Sequence, residues 1–95
     1  MFIILLRYTD NKTKSAEYLD AHVAWAKQGM KDGVFLTVGT LQPNQGGGIM
    51  AHNEERSKLE IRVNEDPFVQ QGIVEAEILE ITPSMADERL QFLIT

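Results

Sequence analysis

The first strand-forming segment, "FIILLRY" at residues 2–8, constrains the fold more than any other part of the chain. Residues 2–6 are all apolar, and the segment ends at the polar stretch "TDNKTKS". A short apolar run between polar segments is typical of a strand that is buried on both faces. Both faces of the sheet that contains this strand must therefore be covered.

Two helices are predicted by apolar periodicity and by their end signals. The first extends from Ser15 to Lys31, with Ser15 as its N-cap and Gly33 just beyond its end. The second is a C-terminal helix over residues 84–94, with Ser84 as its N-cap after Pro83.

Three further strands are predicted at residues 34–41, 48–52 and 73–81. The glycines of "QPNQGGG" (42–48) are typical of a tight reversal, so strands 34–41 and 48–52 are expected to pair antiparallel. Gly39 is interpreted as a bulge or a close approach of backbone. On the last strand, Val74, Ala76 and Ile78 are expected to share one face.

Residues 53–65, "NEERSKLEIRVNE", fit two structures. Alternation of apolar and charged residues over 58–63 is the strand pattern. Ser57 and Glu60 have the spacing of a capping box, and Leu59 and Val63 are four residues apart, which favours a helix. With a helix here, the order of elements is βαββαβ, the ferredoxin-like α+β arrangement with helices on one face of an antiparallel sheet.

A single layer of helices cannot cover both faces of such a sheet in a chain of 95 residues. The first strand is apolar on both sides, so the second face needs another cover. We therefore predict one domain over residues 1–95 that forms a homodimer through the free face of its sheet.

Composition excludes several classes of function. The chain carries 14 acidic and 9 basic residues, for a net charge of −5, without a Lys/Arg cluster, which argues against a nucleic-acid or membrane partner. There is no cysteine, so disulfides and thiolate chemistry are excluded. No apolar run approaches the length of about 18 residues that is needed to span a bilayer. With no signal-peptide pattern at the N-terminus, we predict a cytoplasmic protein.

His22 is the first candidate for chemistry. Four apolar residues recur at helical spacing and predict the core-facing stripe of the first helix: Leu19, Val23, Ala26 and Met30. His22 lies beside this stripe, with Tyr18 and Trp25 further round on the same side. An unperturbed imidazole has a pKa of about 6.5, which suits a general acid or base. The alternative is a half-buried structural histidine.

Asp66 is the second candidate. It precedes Pro67 in a segment closed by Gly72, the pattern of an N-capped single turn. Capping would occupy one carboxylate oxygen and leave the other to orient an imidazole, as in the Asp–His half of a catalytic triad. No hydroxyl lies in a nucleophile elbow, which favours proton transfer over covalent catalysis; the hydroxyls considered are Thr37, Thr40 and Ser57.

Other polar features point to simpler interpretations. His22 and His52 lack HxH or HxxxH spacing, so no metal site is predicted, and nothing indicates a cofactor. The "GGG" of residues 46–48 lacks a following Lys-Ser/Thr and is interpreted as a hairpin loop. Arg7, at the end of the first strand, is either a contact for an anionic ligand or a partner in a salt bridge.

Taken together, four motifs resemble the YciI-like (YCII-related) family. They are His22 within a helix, "GVFLTVG" at 33–39, "GGIM" at 47–50 and "DPFVQQG" at 66–72. The resemblance covers about residues 2–82 and leaves the C-terminal helix as an addition. It implies a ferredoxin-like fold of the dimeric α+β barrel type, a helix over 53–65, and an active-site His–Asp pair at His22 and Asp66.

The resemblance also implies a function. A few members of the family act on small ring compounds by elimination or isomerisation, so we expect a small enzyme that moves a proton on an aromatic or lactone-like molecule. Tyr18 and Trp25 would wall the pocket, with Arg7 and Thr40 as further ligand contacts. Leu19 and Thr40 stand where many members have Arg and Pro. A non-catalytic binding module and a purely structural dimer are the alternatives.

Overall fold

Four strands form one antiparallel sheet in the computed structural model, which describes residues 1–94. They are β1 (Phe2–Tyr8), β2 (Phe35–Leu41), β3 (Gly46–Ala51) and β4 (Val74–Glu80). Their order across the sheet is β2-β3-β1-β4, with every neighbouring pair antiparallel. This is the ferredoxin-like order, and the predicted α+β fold is confirmed. The predicted bulge lies between Phe35 and Thr37 instead of at Gly39.

The helices are α1 (Ser15–Lys31), α2 (Arg56–Asn64) and α3 (Pro67–Gln70). α1 has the predicted bounds, although Ser15 is its first residue and follows a 3-10 helix at Asp10–Lys14. The ambiguous segment 53–65 is helical, as the resemblance implied. Glu55 occupies its N-cap position without a side-chain hydrogen bond, so the predicted capping box is not formed.

The C-terminal segment differs from the prediction in type and extent. It forms a 3-10 helix at Glu88–Leu93 whose N-cap is Asp87, where an α-helix from Ser84 was expected. None of its helical residues is buried. Because short helices depend on tertiary packing for their stability, this exposed segment does not form the longer α-helix that its apolar spacing suggests.

The core lies between the helices and one face of the sheet. β1 buries alternate residues, with Phe2, Ile4 and Leu6 between 0% and 5% exposed, whereas Ile3 and Leu5 on the other face are half-buried. Side chains from α2, α3 and the start of β4 complete this core, including Leu59, Val63, Phe68, Ile73 and Val74. Residues 1–94 therefore bury one face of β1 fully and leave the other partly exposed.

The orientation of α1 corrects the predicted apolar stripe. Leu19, Val23 and Met30 are 48%, 39% and 49% exposed, and of the four stripe residues only Ala26 is buried. The helix turns Gly29 toward the sheet, at a place where any side chain would collide with the ring of Phe35. This close approach sets the rotation of α1 about its axis. As a result, the side of α1 that carries His22 faces inward. A pattern of apolar residues could not predict this rotation, because glycine does not count as an apolar residue in such a pattern.

Candidate functional site

His22 and Asp66 meet between α1 and α3. His22 Nδ1 lies 2.7 Å from Asp66 Oδ1, across 44 residues of sequence. The His22 side chain is 18% exposed and that of Asp66 is 0% exposed. A buried carboxylate at this distance fixes both the position and the tautomer of an imidazole.

Local sequence explains how Asp66 is held. Asp66 is the N-cap of α3, with Pro67 at the first helical position. The backbone N–H of Phe68 donates to Asp66 Oδ1 at 3.0 Å, so the oxygen that caps the helix is the one that contacts His22. The expectation that the two carboxylate oxygens divide these roles is therefore wrong. Asp66 Oδ2 is buried and has no hydrogen-bond partner within residues 1–94.

This arrangement defines the state of the neutral histidine. Because the Asp66 carboxylate only accepts, Nδ1 of His22 must carry the hydrogen that it donates. Nε2 then holds a lone pair, and it makes no hydrogen bond to any residue that the structure describes. The pair therefore presents a free basic nitrogen on a fixed ring.

Aromatic side chains fix the plane of the ring. The imidazole of His22 lies 4.0 Å from the ring of Phe68, at an interplanar angle of 4°. The ring of Trp25 also stacks on His22, at a centroid distance of 5.8 Å and an interplanar angle of 28°. Stacking of this kind restricts rotation about the side-chain bonds, and together with the bond to Asp66 it pre-organises His22.

A cavity of about 300 Å³ opens beside His22, between α1 and the sheet. Six apolar side chains line it: Leu6, Leu19, Val23, Val38, Phe68 and Val74. Its other lining residues are His22 itself, two hydroxyl-bearing residues and three glycines, namely Tyr8, Thr40, Gly39, Gly46 and Gly47. The size is at the lower end for small-molecule sites, and a mostly apolar wall with a few polar groups is typical of them.

The predicted ligand contacts are only partly found around this cavity. Thr40 lines it, whereas Tyr18 and Trp25 do not. Trp25 instead stacks on His22 at a centroid distance of 5.8 Å, and its indole N–H donates to the carbonyl of Arg62 at 2.9 Å. Tyr18 packs against the hydrophobic core. The exposed Leu19 and Val23 line the cavity where Tyr18 and Trp25 were expected.

Arg7 is placed away from the site. Its guanidinium bonds Glu77 Oε1 at 2.7 Å, which is the salt-bridge alternative. Arg7 pairs with Gly46 and Glu75 in the sheet and alternates with Leu6 and Tyr8, so it projects from the opposite face to the cavity. It cannot contact a ligand beside His22 in the same chain.

Sequence reasoning missed Tyr8 and Gly47, which both line the cavity. Tyr8 follows Arg7 on β1, and Lys12 Nζ lies 4.9 Å from the centre of its ring. The available signal was strand alternation: had the inward face of β1 been assigned from Phe2 and Ile4, Tyr8 would follow at the same period.

His52 belongs to a different part of the molecule. It lines a separate cleft and contacts Phe92 edge-on at 5.4 Å. Between residues 1 and 94, no three side chains of His, Cys, Asp or Glu come together in a group able to hold a metal ion. Over the same range, no helix has the length and apolarity that crossing a membrane requires.

The strongest electrostatic cluster lies outside the cavity, around Arg62 of α2. Its guanidinium bonds Asp32 Oδ2 at 2.9 Å and Glu54 Oε2 at 3.3 Å. Hydrogen bonds from Arg62 and then from Gln28 lower the pKa of Asp32 below its usual 3.8. The cluster ties α2 to the end of α1 and to the loop that follows β3.

Fold and site together define an α+β protein of ferredoxin-like order with a histidine–carboxylate pair beside a small cavity. The chain belongs to the family of the YCII-related domain, whose model matches residues 1–82. The family membership predicted from the motifs at His22 and residues 66–72 is thereby confirmed. The C-terminal 3-10 helix lies beyond the matched residues.

The fold is shared with a solved structure of an enzyme. It is the 5-chloro-2-hydroxyhydroquinone dehydrochlorinase from Burkholderia phenoliruptrix AC1100, in complex with 2,5-dihydroxybenzoquinone. The TM-score is 0.65 at 15% sequence identity, over 85% of this chain and 93% of that chain. At this identity the likeness shows the fold. Among curated proteins, none matches the sequence.

Proposed function

We propose that this protein is a small enzyme in which His22 transfers a proton to or from a small aromatic or lactone-like molecule bound in the cavity. The observation that carries the proposal is the 2.7 Å contact between His22 and the buried Asp66 at the edge of a 300 Å³ cavity. The dehydrochlorinase with the same fold acts on a small aromatic molecule, which supports this choice of substrate class.

In the proposed reaction, Nε2 of His22 is the base. It accepts a proton from the substrate, and the resulting imidazolium is paired with the Asp66 carboxylate, which stays ionised and acts as a positioning residue. In an isomerisation, the same nitrogen returns the proton to another atom of the substrate. In an elimination, the bond to the leaving group breaks, the leaving group departs with the bonding electrons (for a chlorinated ring, as chloride), and the imidazolium releases its proton to solvent. Thr40 and Tyr8 offer hydroxyls that can bond an oxygen of the substrate from the other walls of the cavity.

The direct test replaces His22 by Gln. A positioned general base contributes roughly 10²- to 10⁴-fold to rate. We expect the rate of chloride release from 5-chloro-2-hydroxyhydroquinone, or the turnover of related phenols and lactones, to fall at least about 10²-fold in H22Q. H22Q should keep its melting temperature within a few degrees, because the imidazole is only partly buried.

His52→Gln is the matched control, since His52 lies in another cleft. It should leave turnover unchanged. Activity that survives in H22Q contradicts the proposal. Saturable binding of 2,5-dihydroxybenzoquinone by the wild-type protein, with no product from any ring compound, would instead support the alternative of a non-catalytic binding module.

We also propose that the protein acts as a homodimer joined through the free face of the sheet. Ile3, Leu5 and Met50 are half-buried on this face and Leu79 is 41% exposed, which supports an apolar contact with a second copy. The cytoplasmic location remains a prediction from the sequence.

A further inference from the structure

β3 begins with three consecutive glycines, at residues 46–48, although it is an interior strand paired on both sides. Glycine weakens a strand interior and often marks a place where a ligand or another backbone approaches. Gly46 has a local reason, because its φ is 136° and a side chain there would collide with the carbonyl of Leu6. Gly47 has no positive φ, so its backbone does not require glycine.

Packing does not require glycine at residue 47 either. A Cβ added there would lie 3.5 Å from the carbonyl oxygen of Gly39 and 3.9 Å from Leu6 Cδ1. Both are ordinary van der Waals distances, so the sheet can accommodate alanine. What glycine provides at this position is therefore empty space.

That space belongs to the cavity beside His22. In the sheet, Gly47 pairs with Leu6 on β1 and with Thr40 on β2. Paired residues share a face, and all three line the cavity together with His22. A side chain at Gly47 would project from the sheet into the volume that a ligand of His22 must occupy.

We propose that Gly47 is the specificity-determining residue of this cavity. Its bare backbone forms a flat floor on which a single planar ring carrying a hydroxyl lies, with His22 at one side. Apolar side chains of Leu6, Val38 and Val74 surround the ring, and the volume of about 300 Å³ limits the ligand to a small molecule. This inference rests on the proposed function in taking the cavity as the ligand site, and it does not depend on turnover.

The test measures binding of phenol to the full-length protein by NMR, through the imidazole signals of His22. The variants are Gly47→Ala and Gly47→Val, with Gly48→Ala as the control. Gly48 is adjacent in the same strand but pairs with Leu5 and Gly39 on the opposite face, where an added Cβ meets nothing within 4 Å.

We expect the phenol dissociation constant to rise several-fold in G47A and at least tenfold in G47V, and to stay within twofold of wild type in G48A. The melting temperatures of G47A and G48A should not fall, because alanine is better tolerated in a strand than glycine. Cyclohexanol, which has the same hydroxyl on a thicker puckered ring, should bind the wild-type protein more weakly than phenol.

Three results would overturn the inference: wild-type affinity for phenol in both Gly47 variants, an equal loss in G48A, or no effect of phenol on His22 in the wild-type protein. Failure of the proposed function is seen separately, because it is judged by turnover in H22Q. A protein that loses turnover in H22Q but binds phenol equally well in G47V retains the proposed reaction and refutes only the role of Gly47.

Discussion

One oxygen atom, Oδ1 of Asp66, connects the N-cap of α3 with the position of the His22 ring. It accepts hydrogen bonds from the backbone N–H of Phe68 and from His22 Nδ1. Asparagine and aspartate are about equally good N-caps, so Asp66→Asn keeps the helix start. The amide differs from the carboxylate because it carries no charge and can also donate.

We therefore predict that D66N leaves the melting temperature nearly unchanged and alters the tautomer of His22. Once the acceptor-only carboxylate is gone, the neutral ring is free to place its proton on Nε2, which removes the free base. The ¹⁵N chemical shifts of Nδ1 and Nε2 report this directly. Asp66→Ala, which also loses the cap, should cost about 1 kcal/mol of stability in addition. Unchanged ¹⁵N shifts in D66N would contradict the positioning role.

At the level of residues, the sequence identified the pair but not its surroundings. His22 and Asp66 stood out by residue type, by their place beside a helix stripe and a cap, and by the resemblance. The walls of the cavity depend on the rotation of α1, which the contact of Gly29 with Phe35 sets. Hydrophobic periodicity takes no account of glycine, so the orientation of α1 that it predicted was wrong.

At the level of elements, α2 is fixed to α1 by polar contacts at its C-terminal half. The indole N–H of Trp25 donates to the carbonyl of Arg62, and the guanidinium of Arg62 bonds Asp32 and Glu54. Trp25 also stacks on His22, so the contacts that hold Trp25 in place also help to hold the imidazole. These contacts also explain why residues 53–65 fit both a helix and a strand. Partners elsewhere in the chain hold α2 in place, and the sequence of α2 itself does not reveal them.

The ion pair between Asp32 and Arg62 predicts a pH dependence of stability. The folded protein holds the pKa of Asp32 below 3.8, so the unfolded chain takes up this proton more readily. Stability from this group is complete above pH 3.8 and is lost as the pH falls through the lowered pKa of the folded state. We expect Asp32→Asn to lower the melting temperature at neutral pH, with the difference from wild type shrinking at pH values well below 3.8.

Asp87→Asn is the matched control for this prediction. A hydrogen bond from Arg89 also lowers the pKa of Asp87, but the pair is local and lies in a 3-10 helix with no buried residue. It should affect the melting temperature of the domain less than D32N does. The prediction would be contradicted if the melting temperatures of D32N and wild type differed by the same amount from neutral to strongly acidic pH. The carboxylate of Asp32 would then not stabilise the fold through its charge.

At the level of the whole molecule, strand order followed from the succession of elements, since a βαββαβ chain with helices on one side has few antiparallel solutions. Residues 1–94 place no layer of helices over the other face of the sheet. On that face, Ile3 pairs with Met50 and Leu79, and Leu5 lies one period along β1. The ion pair of Arg7 with Glu77 lies on the same face and gives it a polar edge.

We predict that the protein forms a dimer through this face. A charge placed in the centre of the sheet should disrupt the dimer. Leu5→Glu places a carboxylate between Gly48 and Glu77, where it would be desolvated by a second copy and repelled by the neighbouring acid. In sedimentation velocity at micromolar concentration, the wild-type protein should have twice the chain mass of 10.7 kDa and L5E should have the mass of one chain. Ile61→Glu is the control, because Ile61 is 63% exposed on α2 and away from the sheet face, so this variant should remain a dimer. A wild-type protein that sediments as a monomer, or an L5E variant that stays dimeric, would show that this face does not join two copies.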